Sequence, residues 1–298
     1  MDDALDRTGP ASGSWVSWAL LALGVVAASI SAILIRYAGE AHPLAISFWR
    51  CAAGAAVLMP FAKFSQIRAR ELRVSIVAGA FLALHFATWI TSLELTTVAA
   101  SVLLVSTTPI WVGLAERLVF KERLSGGAWA GIVISFVGAA VIAGGDLSGS
   151  NLLGNALALI GGATVAGYVL AGRDARRSLG IIEYSVVTYA AAAVMLLLAC
   201  LPARASLVGY PSQTWWALAA IVAGPQLLGH TVINFVLKEI DATVISVMIM
   251  AEPLIATFLA YVLFSEIPSV LVYPGGIAVL VGVYLVTVGR RATPVVMQ

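Results

Sequence analysis

Residues 98–120 read VAASVLLVSTTPIWVGLAERLVF, an apolar run with one proline at its middle and two charged residues near its end. About 20 apolar residues in a helix cross the roughly 30 Å of hydrocarbon in a bilayer. Pro109 lacks a backbone N–H, and its ring presses against the carbonyl four residues back, that of Val105. The run therefore predicts a membrane helix that breaks at mid-depth, where it must face protein or a watery path.

The whole chain shares this apolar character. Of its 298 residues, 61% are hydrophobic and 11% are charged, whereas a soluble domain carries about 25% charged residues. We predict an all-α integral membrane protein with ten transmembrane helices. The predicted spans are residues 15–38, 44–62, 72–93, 98–120, 127–144, 151–172, 182–201, 213–237, 243–264 and 268–289.

The chain also repeats itself at an offset of 144 residues. The matched pairs are Pro109 with Pro253, Phe120 with Phe264, Glu122 with Glu266, Gly131 with Gly275, Gly138 with Gly282 and Gly145 with Gly289. We divide the chain into residues 1–145 and 146–298, each with five helices. Because five is odd, the second unit starts on the opposite side of the membrane and is inverted. Inverted repeats are typical of secondary transporters, whose substrate site lies between the halves near the midplane.

The basic residues predict the orientation. With the N-terminus inside, thirteen of the seventeen Lys and Arg residues fall in inner loops, and only Arg36 and Arg204 fall in outer ones. Basic residues are retained on the cytoplasmic side, so both termini are predicted to be cytoplasmic. The first fourteen residues lack the basic flank of a cleavable signal, so we expect the first helix to be retained.

Several classes of function are excluded by composition and motif. A net charge of +2 cannot neutralise a nucleic-acid backbone, so no nucleic-acid partner is expected. Cys51 and Cys200 lie in apolar runs, which indicates buried thiols and no metal site, redox chemistry or cofactor. The sequence has no phosphate-binding loop and no catalytic His-Glu-x-x-His or Gly-x-Ser-x-Gly motif, so we expect neither nucleotide hydrolysis nor an enzyme.

Two short motifs resemble a known family. The letters TPIW at 108–111 and FKERL at 120–124, followed by glycines at 131 and 138, resemble the repeat signature of EamA-type carriers in the drug/metabolite transporter superfamily. The second copy reads EPL at 252–254 and FSE at 264–266, with glycines at 275 and 282. The resemblance implies a ten-helix double repeat that exports small metabolites, amino acids or drugs across a bacterial inner membrane. Within this family the chain is most similar to aromatic amino-acid exporters.

Polar and aromatic side chains at membrane depth define the candidate substrate site, because an ionisable group there costs about 2.5–3.5 kcal/mol. Helical spacing places one set of these side chains on a single face of the third span. A second set, spaced four residues apart, follows one face of the eighth span. The predicted substrate-binding residues are His85, Thr88, Trp89, Ser92, Trp111, Tyr168, Gln226, His230, Asn234 and Glu252. The predicted hinges are Pro109 and Pro253, at equivalent depth in the two units.

A packing explanation stays open for several of these residues. A histidine in a membrane helix can bond to a neighbouring helix, a proline can be a simple kink, and Glu252 can satisfy backbone groups freed by Pro253. Arg50 is predicted to extend towards the outer headgroups, with an ion pair to Glu94 as the alternative. The glycines repeated every seven residues are predicted to let helices pack closely.

Together these patterns predict an inner-membrane secondary transporter that exports aromatic or other neutral amino acids by alternating access. Its expected partners are a small-molecule substrate and the lipid bilayer, and a monomer is the expected state. One alternative is a proton-coupled multidrug or metabolite exporter on the same fold. A channel or a membrane scaffold is an alternative of a different class. An intramembrane enzyme is less favoured, since no nucleophile and base share a face.

Overall fold

The computed structural model describes residues 13–122, 124–142, 151–252, 254–255, 258 and 270–291. The regular secondary structure of this described part is helical and contains no strand. Besides two short 3₁₀-helices, Met59–Phe61 and Phe64–Gln66, it contains α-helices and one π-helix. In chain order they are α1 (Trp15–Ser29), α2 (Ser31–Tyr37), α3 (Pro43–Leu58), α4 (Ala69–Leu95), α5 (Val98–Val105), α6 (Thr108–Leu118), α7 (Gly126–Ile142), α8 (Leu152–Ala175), α9 (Ile181–Cys200), α10 (Ser212–Ile221), a π-helix (Val222–Thr231), α11 (Val232–Val236), α12 (Ala242–Ile249) and α13 (Val272–Arg291). Every predicted span contains at least one of them.

Seven helical stretches in the described residues are long and apolar enough to cross a membrane. They are Trp15–Tyr37, Pro43–Phe61, Ala69–Leu95, Leu152–Ala175, Ile181–Cys200, Ser212–Val236 and Val272–Gly289. An eighth, Gly126–Val141, is apolar but shorter. The fourth predicted span is divided between α5 and α6. Much of the ninth lies outside the described residues.

The fourth span breaks at the predicted depth, but the break precedes the proline. Residues Ser106 and Thr107 separate α5 from α6, and Pro109 occupies the first turn of α6, where its missing N–H is not needed. Three consecutive hydroxyls donate back to carbonyls of α5: Ser106 Oγ to Val102 at 2.7 Å, Thr107 Oγ1 to Leu104 at 2.7 Å and Thr108 Oγ1 to Val105 at 2.8 Å. The Val105 carbonyl is the one that Pro109 leaves without a backbone donor four residues on. The predicted break is therefore present, with the hydroxyls closing it.

The ninth span breaks at the equivalent place. Helix α12 ends at Ile249, two turn residues follow, and helical geometry resumes at Glu252. The bounds of α12, Ala242–Ile249, are those of α5 shifted by 144 residues. Pro253, the second predicted hinge, lies outside the described residues.

The eighth span contains a π-helix that the sequence pattern did not predict. Pro225 lies inside it and removes one backbone donor, which displaces the helical ladder. Thr231 Oγ1 donates to the carbonyl of Gln226, five residues back, at 3.3 Å. A π-helix bonds each N–H to the carbonyl five residues back, so the backbone hydrogen bonds of this stretch are shifted by one residue relative to an α-helix.

Helices α7 and α13 pack against each other along their glycines, as predicted. A Cβ atom on Gly131 would lie 2.6 Å from the carbonyl oxygen of Gly282, and a Cβ atom on Gly138 would lie 2.6 Å from that of Gly275. No Cβ fits at these distances from a backbone atom. The close approach of the two helices therefore requires glycine.

We expect Gly131→Ala to destabilise the protein by about 1–3 kcal/mol, because the added methyl group must push α7 and α13 apart. The matched control is Gly126→Ala on the same helix, where a Cβ meets nothing within 4 Å. The measurement is the midpoint of thermal unfolding in detergent. Equal midpoints for the two variants would contradict the packing role.

Candidate functional site

A cavity lies among the helices and takes its lining from both halves of the chain. It encloses about 670 Å³ of empty space when the open mouth is included. Eight lining residues precede residue 146: Ala28, Ser31, Arg50, His85, Trp89, Val105, Ser106 and Thr108. Eight follow it: Val165, Tyr168, Val169, Pro225, His230, Ile233, Ile249 and Glu252. Both helix breaks therefore border the cavity.

Aromatic rings form one wall. The His85 and Trp89 rings are stacked, 5.7 Å apart and 8° from parallel. The His230 ring meets the edge or face of three others: it lies 6.4 Å from His85, 5.9 Å from Tyr168 and 5.2 Å from Phe86. Such a wall can stack against a planar apolar group.

Hydrogen bonds from neighbouring helices orient two of these rings. His85 Nδ1 lies 3.0 Å from the carbonyl oxygen of Gly161 on α8. A carbonyl oxygen only accepts, so this bond places a proton on Nδ1 and fixes the tautomer. The Asn234 amide donates to the Tyr168 hydroxyl. Both rings are therefore positioned by the fold before a ligand enters.

Arg50 places a buried guanidinium in the cavity wall. The residue is 1% exposed, its Nε donates to Gln226 Oε1 at 2.9 Å, and its Cζ lies 3.7 Å from the centre of the Phe86 ring. The expected extension to the outer headgroups is therefore wrong. The alternative, an ion pair with the exposed Glu94, is absent from the ion pairs of the described residues. The amide and the aromatic ring hold the guanidinium inside instead.

Five of the ten predicted substrate-binding residues line the cavity: His85, Trp89, Tyr168, His230 and Glu252. Three others lie elsewhere. Thr88 Oγ1 donates back to Leu84 within α4 at 2.8 Å. Ser92 Oγ is 2.6 Å from Ser101 Oγ and joins α4 to α5. Trp111 is 37% exposed, and its Nε1 donates to Thr107 Oγ1 at 3.0 Å.

Gln226 and Asn234 are fully buried behind the wall that His230 helps to form. Gln226 bonds to Arg50, and Asn234 bonds to Tyr168. Both of these partners line the cavity, so the two amides lie directly behind its lining. Their side chains orient cavity residues and do not line the cavity.

The sequence pattern missed four lining residues that matter chemically: Arg50, Ser106, Thr108 and Pro225. The Gly224-Pro225 pair inside an apolar span was a signal for the π-helix. The Ser106-Thr107-Thr108 run before Pro109 was a signal for hydroxyls that close a break. Nothing local indicated that Arg50 is buried, because its amide partner lies 176 residues away.

A charged cluster lies at the end of the bundle where α6 and α8 terminate. Arg173 Nη1 is 3.2 Å from Glu116 Oε1 and 3.1 Å from Glu122 Oε2. Thr243 Oγ1 on α12 donates to the other Glu116 oxygen at 2.7 Å. This Arg173 cluster (Glu116, Glu122, Arg173 and Thr243) joins α6, α8 and α12. At the same end, the exposed pair of Arg70 and Asp174 joins α4 to α8 at 2.7 Å.

The described residues contain no group of three or more His, Cys, Asp or Glu side chains that could hold a metal ion. Side-chain chemistry in the cavity thus comes from one guanidinium, one carboxylate, two imidazoles and the surrounding hydroxyl and aromatic groups. These groups can bind a small polar molecule that also has an apolar part.

Comparison with known proteins gives three findings. A model of the EamA-like transporter family matches the chain twice, over residues 14–144 and 152–288. The uncharacterized transporter YdfC of Bacillus subtilis (strain 168) is 23% identical over 247 residues, which cover 81% of this chain and 80% of YdfC. A solved crystal structure superposes with a TM-score of 0.75 at 19% identity and covers 93% of this chain and 98% of that chain, so the two share a fold.

We expect Thr108→Val to lower the free energy of unfolding by about 1–3 kcal/mol, because it leaves the carbonyl of Val105 without its hydroxyl donor beside the helix break. Thr88→Val is the matched control, since its hydroxyl bonds to a carbonyl inside the continuous helix α4. Its effect is expected to stay within about 0.5 kcal/mol. Thermal unfolding in detergent compares the two, and a larger loss for Thr88→Val contradicts the account of the break.

Proposed function

The chain belongs to the EamA-like transporter family, and on this premise we propose that it is a secondary transporter that exports aromatic and other neutral amino acids across a bacterial inner membrane. The observation that carries the proposal is the cavity, to which the two halves of the chain contribute equally and which both helix breaks border. A site between two halves that move against each other is accessible to each side in turn. The protein acts as a monomer in the bilayer.

The units 1–145 and 146–298 are the inverted repeats of this transporter. Glycine packing supports the assignment: Gly131 meets Gly282 and Gly138 meets Gly275, while the sequence offset pairs Gly131 with Gly275 and Gly138 with Gly282. Reciprocal contacts of this kind are typical of a two-fold axis. Such an axis relates α7 to α13.

The packing of the other helices follows the same symmetry. The repeat relates the third span to the eighth and the first span to the sixth. Helix α4 of the third span packs along α8 of the sixth, and the π-helix of the eighth span packs along α1 of the first. Helices α3 and α9, which the repeat relates to each other, are in direct contact. Because these partners exchange under the sequence offset, the contacts support two units related by a half-turn in the membrane plane.

The Arg173 cluster supports alternating access. Glu116 is fully buried at the end of the bundle that holds the predicted cytoplasmic loops, and Arg173 and Thr243 tie α6, α8 and α12 together there. We propose that this arrangement closes the cavity on the cytoplasmic side, where both termini also lie. Opening that side would separate Arg173 from Glu116, while the breaks before Pro109 and Pro253 bend.

The cavity wall favours substrates with a planar apolar side chain. The stacked His85 and Trp89 rings and the Tyr168 ring offer apolar faces, and the polar side chains that also line the cavity offer hydrogen bonds. An aromatic amino acid has both parts. This match supports aromatic amino acids as the substrates.

Proton coupling is a second candidate, because Glu252, His85 and His230 line the same cavity and each can carry a proton. On this alternative the protein exports drugs or metabolites against their gradient by exchange with protons. A pH gradient across the membrane then changes the rate of export. Facilitated exchange of amino acids has no such dependence.

We expect purified protein in liposomes to exchange phenylalanine. Uptake of labelled phenylalanine should be faster into liposomes loaded with unlabelled phenylalanine than into empty ones. Internal phenylalanine binds the inward-facing site, and the site then returns to the outer side with substrate bound. Protein-free liposomes are the control, and a pH gradient is the second arm. Equal uptake into loaded and empty liposomes indicates a channel. The absence of uptake into both kinds of liposome indicates a scaffold.

We expect Trp89→Ala to lower this exchange by about 3- to 10-fold, since it removes an aromatic face of the cavity. Trp111→Ala is the matched control, because Trp111 does not line the cavity and is 37% exposed. His230→Ala is expected to act like Trp89→Ala. A loss of flux in all three variants with intact folding would falsify the placement of the substrate.

A further inference from the structure

Arg50 is a buried cation with no acidic partner among the residues that the structure describes. It is 1% exposed and lines the cavity, and no carboxylate oxygen lies within 4.0 Å of it in the described part of the chain. Its Nε donates to Gln226 at 2.9 Å, its Nη1 makes a long contact of 3.5 Å with Ser31 Oγ, and its Nη2 has no partner. A buried guanidinium with a free arm favours an anionic ligand.

The cavity also holds a second unpartnered donor. The indole Nε1 of Trp89 is buried without a hydrogen-bond acceptor. Indole nitrogen donates only, as guanidinium does. Among the described cavity-lining residues, the buried side-chain atoms without a hydrogen-bond partner are Arg50 Nη2 and Trp89 Nε1, and both are donors. A ligand with several hydrogen-bond acceptors can satisfy both of them.

The opposite charge comes from the second half of the chain. Glu252 lines the same cavity and has no ion pair among the described residues. An unpaired cation and an unpaired carboxylate border one space without touching each other. A molecule that carries both an anion and a cation bridges them and removes the cost of leaving each without a counter-ion.

We propose that Arg50 binds the carboxylate of the substrate and Glu252 binds its ammonium group, so that the cavity selects zwitterionic α-amino acids. The assignment rests on the proposed function and adds the groups that determine specificity. Amines and acids with the same ring but only one charge bind more weakly, because each leaves one protein charge unpaired.

Gln226 and Phe86 are positioning residues for this site. The Phe86 ring is fully buried, and the guanidinium carbon of Arg50 lies 3.7 Å from its centre. The Gln226 amide fixes Nε at one edge of the guanidinium. The free Nη2 is thereby held in one direction before the ligand arrives, which lowers the entropy lost on binding.

The test compares three probes with the same aromatic ring: phenylalanine, phenylalanine amide, which lacks the carboxylate, and 3-phenylpropionate, which lacks the ammonium group. Binding is measured as the ligand-induced rise of the unfolding midpoint in detergent, and transport as competition with labelled phenylalanine in liposomes. In the unmodified protein we expect phenylalanine to bind about 10- to 100-fold more tightly than either analogue. Equal binding of phenylalanine and its amide overturns the role of Arg50.

Variants then show which residue causes the preference for phenylalanine over each analogue. In Arg50→Gln the advantage of phenylalanine over its amide should disappear, and in Arg50→Lys, which keeps the charge without the planar fork, it should shrink. Glu252→Gln should remove the advantage of phenylalanine over 3-phenylpropionate. Arg36→Gln, at an exposed arginine, is the matched control and should change neither ratio.

The outcomes separate this inference from the proposed function. If Arg50→Gln weakens all three probes equally, Arg50 has only a structural role. If Arg50→Gln does not fold, the role of Arg50 is tested by the ratio of phenylalanine binding to phenylalanine amide binding, measured in the unmodified protein and in Arg50→Lys. A protein that binds the probes with the expected ratios but does not move them overturns transport and leaves the assignment of Arg50 intact. Binding of none of the probes overturns both.

Discussion

A backbone carbonyl freed inside a membrane must find a donor, and the structure depends on how this requirement is met between α5 and α6. The hydroxyls of Ser106, Thr107 and Thr108 turn back onto carbonyls of α5. Helix α8 passes close enough for Thr108 Oγ1 to reach the carbonyl of Gly162 at 3.3 Å. A Cβ atom on Gly162 would lie 2.8 Å from the carbonyl oxygen of Val105. Glycine on α8 and hydroxyls on the break therefore let irregular backbone border the cavity.

Features that depend on local rules could be predicted from the sequence. The apolar runs gave the positions of the helices, and Pro109 gave the depth of the break. The seven-residue glycine spacing predicted close helix packing, although not that α7 and α13 are the partners. The candidate site was predicted in part, because His85 and Trp89 lie on a regular α-helix whose period holds.

Other features depend on partners far along the chain and could not be predicted. Gln226 and Asn234 were predicted to line the cavity, but each bonds to a lining side chain from another helix and lies behind it. Arg50 was expected to reach the headgroups, since this is the default for a cation near the end of a membrane helix. It stays inside because Gln226 and Phe86, on two other helices, contact its guanidinium.

The family pattern occurs twice in the chain, but the two charges that line the cavity, Arg50 and Glu252, are not repeated. The offset of 144 residues, which relates α5 to α12, pairs Glu252 with Thr108. Earlier in each half the match shifts to an offset of 138 residues, as for Ser47 with Ser185, and this offset pairs Arg50 with Thr188. A perfectly symmetric site would bind a substrate equally well in two opposite orientations. If the cation in the first unit and the carboxylate in the second bind a zwitterion as proposed, the substrate has one preferred orientation, with its carboxylate towards the first unit. In the proposed alternating access, opening on either side would then present the same end of the molecule to the same unit.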